Sequence, residues 1–120
     1  MNVDDAILAH ARWKIRLTNY LKNPDGSIDI AQLQAEDKCD LGRWIAGEGV
    51  KHGTLPEYAE LRAAHAKFHR IAADVVRKAD RKQIANADAE LGLGSNFGSA
   101  STAVVNCIKA LGRKLAPAHA

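Results

Sequence analysis

The sequence predicts an all-α domain of four-helix-bundle type, and three observations carry that reading. Alanine is abundant, β-branched residues are sparse outside Val104-Val105, and apolar positions recur at helical spacing. At 120 residues the chain makes one domain, 1–120 with a core from about 4 to 115, long enough to bury a core and too short for two.

The first helix is predicted from Asp4 to Lys22, with Asp4 and Asp5 placed to favour its N-terminus. Val3, Ala6, His10, Trp13, Leu17, Tyr20 and Leu21 follow the spacing of one buried face. Leu8, Ala11 and Ile15 fall nearly opposite, and a helix apolar on two sides calls for a second covering surface, so a partner chain is expected. Asn23-Pro24-Asp25-Gly26-Ser27 ends the helix and turns the chain. A helical turn over Ile30 to Ala35 follows, then Cys39 just ahead of a short helix, Leu41 to Ile45, closed by Gly47 and Gly49.

Pro56 suits the first turn of a second long helix reaching Lys78, with Tyr58, Leu61, His65, Phe68, Ala72, Val75 and Ala79 as its buried stripe. Ile84, Ala87, Leu91, Ser101, Val105, Ile108 and Leu115 keep helical spacing to the end of the chain. That periodicity favours one long last helix, although Gly92, Gly94 and Gly98 each cost up to about 1 kcal/mol in a helix interior. The alternative is a break near Gly94-Ser95. The short cysteine-bearing segment would pack across the three long helices.

A net charge of +3 is mild, and acidic residues interrupt the basic cluster from Arg62 to Lys82, so nucleic acid is not the expected partner. No basic region followed by an apolar run opens the chain, and no stretch is long enough to span a bilayer. The expectation is a cytoplasmic protein without membrane insertion. Two cysteines do not make a disulfide scaffold there.

Zinc favours thiolate and imidazole donors in tetrahedral geometry, and a structural site closes all four positions with protein ligands. His65 and His69, four residues apart on a helix, lie one above the other and can share one ion. His10 occupies a core position one turn from Trp13, and Cys39 precedes a helix start, where backbone N–H groups favour a thiolate. Singly, each feature has an ordinary explanation as a hydrogen-bonded or packed core residue. Together, three of the five histidines and one cysteine fall on inward faces, and spacing alone leaves a shared metal and ordinary packing both open.

His10-x-x-Trp13, Cys39-x-Leu41-Gly42-x-Trp44 and His65-x-x-x-His69 together resemble the chemoreceptor zinc-binding (CZB) domain, over about Leu8 to Leu111. The resemblance implies a Zn2+ cofactor with His10, Cys39, His65 and His69 as its ligands. It also implies a cytoplasmic helical-bundle homodimer serving a bacterial chemoreceptor or diguanylate cyclase, in chemotaxis or cyclic-di-GMP control. Such a module responds to zinc or to oxidants such as hypochlorous acid through the zinc-bound cysteine. The chain carries neither a receptor signalling coiled coil nor a cyclase domain, so it is expected to be free-standing, as Met1 suggests, or a sensor excised from a larger protein.

Oxidation of Cys39 to sulfenic acid would replace a strong ligand by a poor one, and Leu41 to Ile45, anchored by Trp44, would be the moving segment. Two other readings stand beside this one. Zinc could merely staple an interaction module with no sensing role. Catalysis would need an open metal position and a nearby base, but Ala66, Lys67 and Phe68 separate the histidines and no Glu-x-x-His pair occurs, so no enzyme is expected. His52 is expected to be exposed, His119 to lie in a terminal tail, and Cys107 to act as a small buried hydrophobe. Trp13, Trp44 and Phe68 are expected to pack around the site and exclude water from it.

Overall fold

The computed structural model describes residues 3–34, 40–84, 86–92 and 94–115, which are helices and their connections with no strand among them. In order these are α1 (Val3–Lys22), α2 (Ile30–Gln34), α3 (Asp40–Ala46), a 3-10 turn (Glu48–His52), α4 (Pro56–Asp80), α5 (Ala87–Leu91) and α6 (Asn96–Leu115).

Helix α1 opens with Asp4 and Asp5 and closes with Lys22, both matched to its dipole. His10, Leu17, Tyr20 and Leu21 are buried along it, with Val3, Ala6 and Trp13 packed at the edge of the core. On the far side Leu8 and Ile15 are 49% and 62% exposed. The Asn23 amide closes the helix onto the Asn19 and Tyr20 carbonyls, and Gly26 at φ +77° takes the left-handed turn after Pro24. Asp29 then starts α2 by accepting the Ala31 N–H at 2.9 Å.

Leu55 in extended conformation and Pro56 at the first helical position start α4 where the sequence placed it. Every residue of its expected stripe is buried. Both ends are tied down: the Tyr58 hydroxyl donates to the Ile45 carbonyl of α3 at 2.6 Å, and the Tyr20 hydroxyl of α1 donates to Asp80 at 2.5 Å. His10 lies against Phe68 and Tyr20 against Asp80, so α1 and α4 run parallel. Val3 meets Gly112 while His10 meets Ser101, so α6 runs antiparallel to α1. The α4–α6 pair is the most extensive helix contact.

The last helix is not continuous, contrary to the expectation from periodicity. Asn86 caps α5 by accepting the Ala89 N–H at 3.1 Å, and Gly92 leaves helical geometry at φ −71°, ψ 171°. Ser95 then starts α6: its hydroxyl accepts the Gly98 N–H at 3.0 Å and donates to the Gly92 carbonyl at 2.6 Å. The Ser95 cap and the cost of glycine inside a helix outweigh the continuing apolar spacing. Ser101 and Ile108 keep their expected inward places beyond the break. Phe97, Ala100, Ser101, Val104, Ile108 and Leu111 are buried, whereas Val105, expected inward, is only half-buried.

His52 differs from expectation too: it is half-buried, its ring stacked on Trp44 at 6.1 Å between centroids. Gly49 allows this by passing under Trp44, where a Cβ would stand 2.8 Å from the indole and 2.9 Å from its carbonyl oxygen. We expect Gly49→Ala to lower stability by about 1–3 kcal/mol through this overpacking. A fall in the urea midpoint at constant slope, with altered Trp44 fluorescence, is the signature to look for.

Candidate metal centre

On α4, Leu61, His65, Phe68, His69 and Ala72 occupy successive inward positions, so a single helix face delivers both histidines to the core. Only 3% of His65 and 4% of His69 is exposed. Their Nε2 atoms face each other at 3.0 Å. His69 Nδ1 donates to the Leu33 carbonyl of α2 at 2.6 Å. A carbonyl can only accept, so Nδ1 carries the proton and, in the neutral ring, Nε2 carries the lone pair. This backbone partner is the arrangement that orients metal-ligating histidines in general. His10 comes from α1, 6% exposed, its ring 4.5 Å from that of Phe68. Its Nε2 lies 2.8 Å from the Ser101 hydroxyl of α6.

A cavity of about 280 Å³ opens beside these rings, lined among others by His10, Trp13, Leu41, His65, Phe68 and His69. Phe68 therefore packs against His10 and His69, Trp13 lines the same cavity, and Trp44 packs instead on His52. Burial lowers His65 to about 3, assisted by the nearby His69 and His10, and lowers His10 to about 4, assisted by Lys14 and His69. Both rings are neutral at neutral pH, the state in which imidazole binds a metal.

The same shifts fix a pH dependence. Between about 4 and the unfolded value of 6.5 the unfolded chain holds more protons on these rings than the folded one. Stability from this source is therefore complete above 6.5 and is lost as pH falls toward 4. The urea midpoint of metal-free protein should drop between pH 7.5 and pH 5, and a flat profile would contradict the burial of these two rings.

The donors suit zinc. Two nitrogens on one tetrahedral ion with bonds of about 2.0–2.1 Å stand roughly 3.3–3.4 Å apart, close to the 3.0 Å separating His65 and His69. Cys39 lies outside the described residues. Of the described residues flanking it in sequence, Leu33 bonds His69 through its carbonyl and Leu41 lines the cavity beside the histidines. Among the described residues no three metal-capable side chains converge on one position. His65 and His69 are brought together, and His10 is beside them but engaged with Ser101.

Sequence reasoning did not single out Leu33 or Ser101. Ser101 was legible as an inward position of α6; the Leu33 carbonyl, a backbone group, leaves no trace in residue type. His119 lies outside the described residues. Cys107 is half-buried, its thiol pKa raised by burial and by Glu60.

The described residues form an all-helical domain with three histidines in its core. The model of the chemoreceptor zinc-binding domain matches residues 10–76, just over half of the chain, and the chain belongs to that family, with Zn2+ as its cofactor. No curated protein and no solved structure matches it. No helix among the described residues is long and apolar enough to cross a membrane.

Proposed function

We propose that this chain is a zinc-binding sensory domain of bacterial signalling in which His10, Cys39, His65 and His69 hold the ion. The observation that carries the reading is the His65–His69 pair, whose Nε2 atoms meet at 3.0 Å with His69 oriented by the Leu33 carbonyl in a mostly apolar core. The domain works as a cytoplasmic homodimer of helical-bundle form, alongside a chemoreceptor or a diguanylate cyclase. The exposed Leu8 and Ile15 of α1 are in keeping with a second copy. Its role is regulatory rather than catalytic, because four protein ligands fill a tetrahedral site.

When bound, zinc supplies the positive charge that keeps a cysteine ligand deprotonated near neutral pH. Hypochlorous acid transfers its oxygen to the Cys39 thiolate, giving sulfenic acid, a poor donor, and releasing chloride, and the N-terminal end of α3 is released. The other end stays held, by Tyr58 on the Ile45 carbonyl and by Trp44 against Gly49 and His52, so α3 pivots there. Loss of zinc itself frees the same segment, and the domain responds to metal level as well as to oxidant.

The test is zinc content per chain before and after a stoichiometric dose of hypochlorous acid, on the wild type and on Cys39→Ser. One zinc per chain, lost on oxidation only when Cys39 is present, is expected. Zinc retained through oxidation in the wild type would leave a stapled, non-sensing module.

A further inference from the structure

We propose that Arg12 and Arg16 make the cavity beside the histidines an entrance for small anions, so that α1 selects which oxidants reach the core. The inference rests on the oxidant-sensing reading above and names the class of molecule that reading takes.

Three observations lead to it. The cavity of about 280 Å³ joins two unlike environments, the buried His10, His65 and His69 on one side and the exposed Arg12 and Arg16 of α1 on the other. One water needs only about 15 Å³ of such space, and a zinc ion with donors at about 2.0–2.3 Å fills a small part of it, so a small anion fits as well. The two arginines stand four residues apart on one side of the helix, where like charges repel each other and weaken the helix. The Arg16 guanidinium is held at the cavity wall, 5.0 Å from the centre of the Trp13 ring, itself a lining residue. Asp25 shares a different groove with the same arginines, one that none of the three histidines lines.

A guanidinium stays charged at any pH the protein meets. Charges of one sign at a cleft with apolar walls, here Trp13, Leu41 and Phe68, concentrate ions of the other sign and speed their arrival. A neutral molecule gains nothing from that field. Peroxymonosulfate, an anion, transfers its terminal oxygen and that oxygen's proton to a thiolate and leaves as sulfate. Neutral hydrogen peroxide makes the same sulfenic acid and leaves as hydroxide. The pair therefore separates charge from chemistry.

The first test needs no oxidation. In a Trp44→Phe background Trp13 is the one remaining tryptophan, and its quenching by iodide and by neutral acrylamide is measured at low salt, metal-free and zinc-loaded. Arg12→Gln with Arg16→Gln should lower iodide quenching about 3-fold or more and leave acrylamide quenching unchanged, while Arg12→Lys with Arg16→Lys keeps both. Unchanged iodide quenching in the glutamine pair overturns the inference. A parallel change with acrylamide overturns it as well, because lost shielding rather than lost charge would then be at work. The second test follows zinc release to a chromophoric indicator in the chain with both tryptophans. The glutamine pair should slow release by peroxymonosulfate about 10-fold relative to release by hydrogen peroxide, and high salt should remove the difference. An unchanged ratio overturns the inference alone. Equal release from Cys39→Ser and the wild type is a separate failure: it sinks the oxidant-sensing reading and takes this inference with it.

Discussion

His69→Ala is expected to lower zinc affinity by about 100-fold or more, since a structural zinc site worth about 10–16 kcal/mol spreads over four ligands at roughly 3 kcal/mol each. The loss is compound. The substitution deletes the Nε2 donor facing His65 and also strands the Leu33 carbonyl that Nδ1 now satisfies. Leu33 is itself buried, so α2 loses a polar tether to α4 and the unpaired carbonyl costs about 1–3 kcal/mol. A chelator competition titration, run beside circular dichroism to confirm the helices, measures it. A folded variant that binds zinc within a few-fold of wild type would remove His69 from the site.

Phe97→Ala should produce the largest loss of stability, about 3–5 kcal/mol, because a fully enclosed aromatic ring is replaced by a cavity. Phe97 is 1% exposed in the first turn of α6, its ring 5.3 Å from Phe68. Phe68 in turn touches His10 and His69, with ring centroids 4.5 and 5.7 Å away. The aromatic chain from α6 to the histidines therefore supports His10 and His69 as well as the core. A fall in Tm of roughly 10–20 °C is expected for a domain of this size. Scans of metal-free and zinc-loaded protein separate the two roles. The metal-free protein reports the cavity, and a smaller zinc-induced rise in Tm than in wild type reports loosened support of His10 and His69.

Helices α1 and α4 were legible because each buries one face continuously. With 3.6 residues per turn, the apolar spacing then reads out which side points inward, and His10, His65 and His69 fall on those sides. The last third of the chain was not legible in the same way. Apolar spacing survives across Gly92 and Gly94 while the backbone does not remain helical, because Ser95 bonds the Gly92 carbonyl and the Gly98 N–H and glycine is costly inside a helix. His52 misled for a related reason. A glycine-rich connector suggests exposure, but Gly49 brings the chain close enough to Trp44 for the rings to stack.

Residue type and spacing were enough to determine an all-helical domain and its first and longest buried faces, and the resemblance carried by its three motifs pointed to the family. Which nitrogen of each histidine is engaged, and by what, was decided only in three dimensions. Leu33 holds His69 from 36 residues away and Ser101 holds His10 from 91. The reason is physical: burial is a property of a helix face and leaves a periodic trace in sequence, whereas a single hydrogen bond between distant segments depends on how the helices cross and leaves none.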